Sequence, residues 1–421
     1  MKNLKYLFSG LILILLFQSC FKDSCTEQRE FIQYTPVFMT KAQFRKNVEA
    51  TVARKLENPG KMYFYKQYLF INEQGKGVHI YDLKDETNPV KVSFYDIPGN
   101  FDIAVKDNIM YADNAIDLIA IDITDISNPK TVKRIEDFNN QYINYDPQLY
   151  YVYSVKSNVT QILDCNNPNF GRRFFFEGGF DNFDASSAPN SSVINTGNNT
   201  SSTGIGGSFA RFTVVNDYLY TVSSSSLKSY LISTPSNPEF KNTTQLGWGI
   251  ETIFPYKDKL FVGSNAGMFI FDNSRPETPV LLSTFEHARA CDPVVVHENT
   301  AYVTLRNGSE CNGFINQLDV IDITNVLQPK LIKSYPMKHP HGLSYSDGKI
   351  FLAEGEYGFK VLNAEDPNKI NEIAKIENIH SYDMISLTKE RLFMIGDDGF
   401  YQYNVTDLKN PKVVSTIKIN E

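Results

Sequence analysis

The stretch "NQLDVIDITNVLQPKLIKSYPM", Asn316 to Met337, decides the fold because the chain contains it in two versions. "IDLIAIDITDISNPKTVKRIED", Ile116 to Asp137, follows the same order: an apolar run, Asp-Ile-Thr, a polar turn ending in Pro-Lys, then an alternating segment. Self-similarity of this kind is the mark of a repeat architecture. The proline after the polar turn anchors further copies at Pro89, Pro129, Pro238, Pro279, Pro329, Pro367 and Pro411. Most intervals between them are about 40 residues, which accommodates four short strands and their turns, as in one blade of a β-propeller. A proline at the start of a fourth, outermost strand is tolerated because an edge strand can lack one N–H. The Asp or Asn before it favours the turn through side-chain to backbone hydrogen bonds.

One unit reads completely. "FDIAVKD" is the inner strand, "NIMYADNA" the second, "IDLIAIDIT" the third and "PKTVKRIED" the fourth. In the opening stretch, Val320 and Ile321 fall on opposite faces of a third strand, and a blade buries both faces. Seven anchors predict seven four-stranded blades. The interval from Pro129 to Pro238 is too long for one blade and holds "LYYVYSVK" and "VTQILDCNNPNF". These are a decayed eighth blade or an inserted hairpin. The Ser/Asn/Gly/Thr-rich "DNFDASSAPNSSVINTGNNTSSTGIGG" that follows reads as a mobile loop. The expected division is a propeller over residues 60–421 with an insertion at about 138–207, preceded by a tether and capping segment over 20–59. Within that segment "EFIQYTPVFM" reads as extended. "AQFRKNVEATVARKL" spaces Phe44, Val48, Val52 and Leu56 as a helix would.

The composition agrees with an all-β chain. Of 421 residues 42% are hydrophobic, enough for a large core, and 24 Tyr and 30 Phe accompany recurrent Val, Ile and Thr. The net charge of -7 argues against nucleic acid, which needs clustered Lys and Arg. Residues 1–19 read as a signal peptide: Lys2 and Lys5 precede "LFSGLILILLF", which is too short for a comfortable membrane span. The segment ends at "FQSC" and so resembles a bacterial lipobox, although Phe17 stands where Leu is usual and Gln18 is polar. The resemblance implies acylation of Cys20 and attachment to a membrane through lipid alone. An ordinary cleaved signal is the alternative.

"LIAIDIT", "LDVIDIT" and "GVHIYDL" resemble the LVIVD repeat of bacterial exported β-propellers. With "YTPVFMT", "IPGNFDIAVKDNIMYAD", "IETIFPY", "CDPVVV", "AYVTLR" and "NQLDVIDIT", the chain from Phe31 onward resembles LVIVD-repeat lipoproteins of Bacteroidetes-type bacteria. That resemblance implies a fold and a location, the periplasmic face of the outer membrane or the cell surface, but no reaction.

Signatures of chemistry are sparse. GxSxG, the P-loop and HExxH are absent. "GDDGF", Gly396 to Phe400, reads as a β-turn. Trp248 reads as packing between blades, with sugar stacking as the alternative. In an exported chain disulfides persist, and Cys291 and Cys311 flank "PVVVHE" and "TAYVTLR", a candidate hairpin whose open end would let them bridge. The pair His339 and His341 falls at the start of an inner strand. Aligned by offset from the second strand, Asp102, Arg211, Glu251, Asp292, His341 and Asp383 each stand near an inner-strand start. Equivalent blades would place them in a ring at one mouth of the central channel. There they either hold a cation such as calcium, or an amine, or they satisfy backbone groups of neighbouring blades. The leading functional expectation is a non-enzymatic, monomeric binding or scaffold module with a protein or glycan partner. The alternative is a propeller hydrolase or lyase acting on glycans or lactones with a cation in the channel.

Overall fold

The computed structural model describes residues 26–139, 146, 148–164, 166, 203–208, 210–247, 249–265, 267–286, 293–307 and 315–421. The expected signal peptide, Cys20, Cys291, Cys311, Asp292 and Trp248 lie outside these residues.

The repeated stretch folds as expected. Gln317–Asp322 and Lys330–Pro336 are the third and fourth strands of a four-stranded antiparallel sheet whose first two are Val294–His297 and Thr300–Leu305. Its twin supplies Asp117–Asp122 and Lys130–Ile135 to a sheet begun by Ile103–Lys106 and Ile109–Asn114. The shared Asp-Ile-Thr does the same work in both. The Oδ1 of Asp122 accepts Thr124 N at 2.8 Å, and the Oδ1 of Asp322 accepts Thr324 N at 2.8 Å. Asp125 and Asn325 repeat this with the amides of Ser127 and Leu327 at 3.0 and 3.1 Å. Two successive Asx turns thus close each connection and fix its register.

Seven such sheets follow one another among the described residues, six of them four-stranded and the first widened to six strands by a short strand on each edge. Their inner strands are Pro59–Tyr65, Ile103–Lys106, Phe212–Val215, Ile250–Tyr256, Val294–His297, Leu343–Ser346 and Asp383–Ser386. Each lies beside the inner strand of the next sheet, and Pro59–Tyr65 also lies beside the seventh sheet, so the sheets close a ring. This is a β-propeller. Packing against neighbours on both faces explains why Val320 and Ile321, adjacent in sequence, are both fully buried. Every outer strand is bulged against the third strand, as at Thr131/Lys133 and Val320/Ile321. A bulge twists the exposed edge and discourages pairing with another chain. Tyrosines bind sheets to their neighbours: Tyr95, Tyr111 and Tyr220 donate to the carbonyls of Ile126, Pro235 and Pro276 at 2.7, 2.8 and 2.9 Å.

The ring closes without sharing strands between its ends. Leu56, Met62, Ile71 and Tyr81 pack with Ile385, Phe393, Phe400 and Ile417. Arg391 pairs with Glu86 at 2.8 Å, and Asn420 N donates to Leu56 O at 2.7 Å.

Two expectations are corrected. The helix over "AQFRKNVEATVARKL" is one turn only, Lys41–Phe44. Beyond it Ala50–Thr51 adds to the outer strand of the first sheet beside Tyr95 and Phe94. Val52 is 88% exposed, although the helical spacing placed it with buried Phe44, Val48 and Leu56. The edge of that sheet offers hydrogen-bond partners, and β-branched Val48, Thr51 and Val52 favour extended backbone. The second correction concerns the end of the expected mobile loop and insertion. Ile205–Gly206 is a strand paired antiparallel with Phe64 and Tyr63 on the axial edge of the first sheet. Earlier in the insertion, Tyr150–Asp164 pairs with Thr26–Met39 as a two-stranded ribbon. Thr26–Thr35 and Ser154–Asp164 of that ribbon belong to a separate compact unit.

Candidate functional site at the channel mouth

All inner strands start at the same end of the ring, so residues near their starts converge on one mouth of the channel. Asp102 immediately precedes Ile103–Lys106, Arg211 precedes Phe212–Val215, and Asp383 opens Asp383–Ser386. His341 stands two residues before Leu343–Ser346, and Glu251 is the second residue of Ile250–Tyr256.

Asp102 is 3% exposed and joins three sheets. Its Oδ2 accepts Lys61 Nζ of the first sheet at 2.8 Å, and Arg211 N and Phe212 N of the third at 2.5 and 3.0 Å. Its Oδ1 accepts Ile103 N at 2.8 Å. Lys61, missed by the sequence reading, is the first sheet's counterpart of the ring. A lysine directly before the apolar and aromatic run "MYFY", Met62 to Tyr65, was the available signal. Burial drives the Lys61 ammonium below its usual pKa, opposed by Asp102. Beside it Asp113 accepts the amides of Phe101 and Asp102 at 2.8 and 2.9 Å, yet burial pushes its carboxyl up to about 6.

Asp383 is 1% exposed and binds the segment that occupies the channel. Its Oδ1 accepts Ser208 N at 3.3 Å and Ser208 Oγ at 3.1 Å, while Ser208 Oγ accepts Leu343 N at 2.9 Å. From the far end inward, Thr203 bridges Lys106, Gly204 N donates to Val105 O at 3.1 Å, and Ile205–Gly206 pairs with the first inner strand. Thr203–Ser208 therefore runs inside the ring against the second, first, sixth and seventh sheets. Two glycines permit this approach. A Cβ at Gly204 would lie 2.2 Å from Tyr63 Cε1, and one at Gly342 would lie 2.3 Å from Asp383 Oδ1.

His341 is 3% exposed and sits in a cationic corner. Its Nδ1 lies 2.5 Å from Arg306 Nη1 and its Nε2 lies 3.3 Å from His339 Nδ1. Arg306 Nη1 also lies 3.2 Å from His341 Nε2, and since a guanidinium only donates, the imidazole faces Arg306 as an acceptor. Burial first, then Arg306, holds His341 well below its usual pKa, and the same two causes lower His339. His380, hydrogen-bonded to Asp397 at 3.0 Å, is raised. Tyr382 lies between them, its ring centroid 5.2 Å from His341 and 5.0 Å from His380.

The structure thus brings Asp102 and Arg211 together and sets Asp383 against Ser208, while the ring of His341 turns to Arg306, His339 and Tyr382. Glu251 is partly exposed. Among the described residues no group of three or more His, Cys, Asp or Glu is arranged to hold a metal ion. The oxygens of Asp102 and Asp383 accept from amide, hydroxyl and ammonium donors, a role that satisfies neighbouring backbone.

No family profile and no curated protein matches this chain. Solved structures do. The computationally designed Ika8 protein superposes with a TM-score of 0.51 at 10% identity, over 88% of this chain and 92% of its own. A functionally unknown protein from Desulfotomaculum acetoxidans DSM 771 gives 0.51 at 11% identity, over 86% and 95%. A protein from Lactobacillus plantarum gives 0.50 at 10% identity, over 76% and 85%. At such identities the likeness concerns the fold alone.

Proposed function

We propose that this chain is a seven-bladed propeller of the LVIVD-repeat type, held at the outer membrane or cell surface through an acylated Cys20. It acts there as a non-enzymatic binding or scaffold module. The observation that carries the reading is the channel itself. Thr203–Ser208 occupies the axis where a propeller enzyme would admit substrate, and the buried carboxylates at the mouth bind that segment and neighbouring backbone. Recognition away from the axis then draws on surfaces such as the loops on the faces, held by a rigid frame.

Two measurements test it. The purified chain is assayed against chromogenic glycosides and lactones with and without calcium. No turnover is expected, whereas turnover abolished in a folded Asp383→Asn variant would favour the enzyme. Cells fed a palmitate analogue should label the parent chain and leave Cys20→Ser unlabelled. Equal labelling of both would refute the anchor.

A further inference from the structure

A second polar site lies away from the axis, between the second and third sheets, as a cleft of about 290 Å3. It is lined by Asn139, Ser223, Ser225, Ser226, Lys228, Thr243 and Gln245. The pattern comes from strand geometry. Ser226 and Lys228 are two apart on Ser226–Leu231 and share one face; their cross-strand partners on Glu239–Gln245 are Gln245 and Thr243. Four polar side chains thus stand together on the blade face that also carries buried Tyr230, while Leu227 is buried on the opposite face.

The cleft is preorganised. Ser223 Oγ accepts Ser226 N at 3.1 Å and lies 2.8 Å from Ser226 Oγ, which fixes the turn. On the opposite wall Asn139 N donates to Ile116 O at 2.9 Å. Lys228 donates to the carbonyl of Phe138 and lies 4.7 Å over its ring. Among the described residues no carboxylate pairs with Lys228, and none lines the cleft. Burial lowers the pKa of this ammonium and no acidic neighbour restores it. A half-buried cation normally has a counter-charge. Here, besides the Phe138 carbonyl and ring, the cleft offers it hydroxyl and amide groups among the described residues, and these can donate hydrogen bonds. Among the described lining residues there is no aromatic side chain, and the nearby Phe138 ring is covered by Lys228.

We infer that this cleft binds a small oxyanion, the carboxylate, sulfate or phosphate group of a ligand, with Lys228 as counter-ion and Thr243, Gln245 and Asn139 as donors. The inference does not depend on the lipid anchor or on the channel, so either can fail without the other.

The test is calorimetric titration of the full chain in detergent with inorganic sulfate, inorganic phosphate, glucuronate and glucose. The three anions should bind, and glucose should not. Preference for sulfate and phosphate would identify a free anion, and preference for glucuronate a sugar acid. Lys228→Met preserves the stem over Phe138 and should weaken the anions by about tenfold or more, since a charge-assisted contact is lost. Gln245→Leu, on the facing strand, should weaken them while leaving the ammonium in place, and it serves if Lys228→Met fails to fold. Absence of binding by all three anions at tens of millimolar, glucose binding equal to glucuronate, or anion binding within twofold of the parent in both variants would each overturn the inference.

Discussion

Replacing Asp102 by Ala should come close to unfolding the propeller. The carboxylate is 3% exposed and takes four donors: an ammonium and three amides drawn from the first, second and third sheets. Removing one partner of a buried pair costs about 3–5 kcal/mol, because the remaining charge stays buried without compensation. Each stranded amide adds about 1–3 kcal/mol, though the costs are not additive where relaxation admits water. A total of about 4–6 kcal/mol is therefore expected against a typical stability of about 5–15 kcal/mol. Lys61→Met in the same background removes the stranded ammonium and should recover about 2–3 kcal/mol, so the two substitutions must couple. Asp102→Asn keeps an acceptor for the amides and should fall between parent and Ala. Urea unfolding followed by circular dichroism reads all four chains through the midpoint shift at constant slope. The reasoning is refuted if Asp102→Ala lies within about 1 kcal/mol of the parent, the range of an exposed ion pair. It is equally refuted if Lys61→Met costs the same with Asp102 and without it.

Gly204→Val should destabilise by about 1–3 kcal/mol in the same melts, since its Cβ would fall 2.2 Å from Tyr63 Cε1 in a packed channel. Tyr220→Phe removes a buried hydroxyl that donates within reach of Asn273 Oδ1 at 2.8 Å and Pro276 O at 2.9 Å, and should cost about 1–2 kcal/mol. Leu56→Ala, at a fully buried position in the closure between the first and seventh sheets, should cost about 2–5 kcal/mol. His341 sets a pH dependence: unfolded it takes up a proton near its ordinary 6.5, while folded it is held well below that value. The unfolded state then binds more protons, so stability is lost as pH falls through 6.5 toward the folded value. His339 acts in the same direction and His380, with its raised pKa, acts against it. His341→Gln, which keeps an acceptor for Arg306, should flatten the stability profile between about pH 7 and 5; an unchanged profile would count against the assignment.

The strand pattern was legible because its causes are local. Asp122 and Asp322 each bond an amide two residues on, and the prolines that follow stand where the edge strand can lack an N–H. The starts of the inner strands were legible too, which is why an offset count could place Asp102 and Asp383 at one mouth. Their partners were not. Lys61 lies 41 residues before Asp102, and Ser208 lies 175 residues before Asp383. No local periodicity records which distant segment returns to fill a channel. The helical spacing of Phe44, Val48, Val52 and Leu56 misled for the same reason. The free edge of the first sheet, a tertiary feature, outbid a four-residue rhythm.

The sequence by itself determined the repeat, the four-strand unit and the turns that separate its strands, because each depends on residues a few positions apart. Only the tertiary structure decided what stands on the axis. Thr203–Ser208 comes from a segment whose composition reads as loop. It is held there by an unpaired strand edge at Tyr63–Phe64 and a buried carboxylate at Asp383, and neither exists until the ring has closed. The same holds for the polar cleft: Lys228 and Thr243 are ordinary surface residues in the sequence, and strand pairing alone sets them face to face.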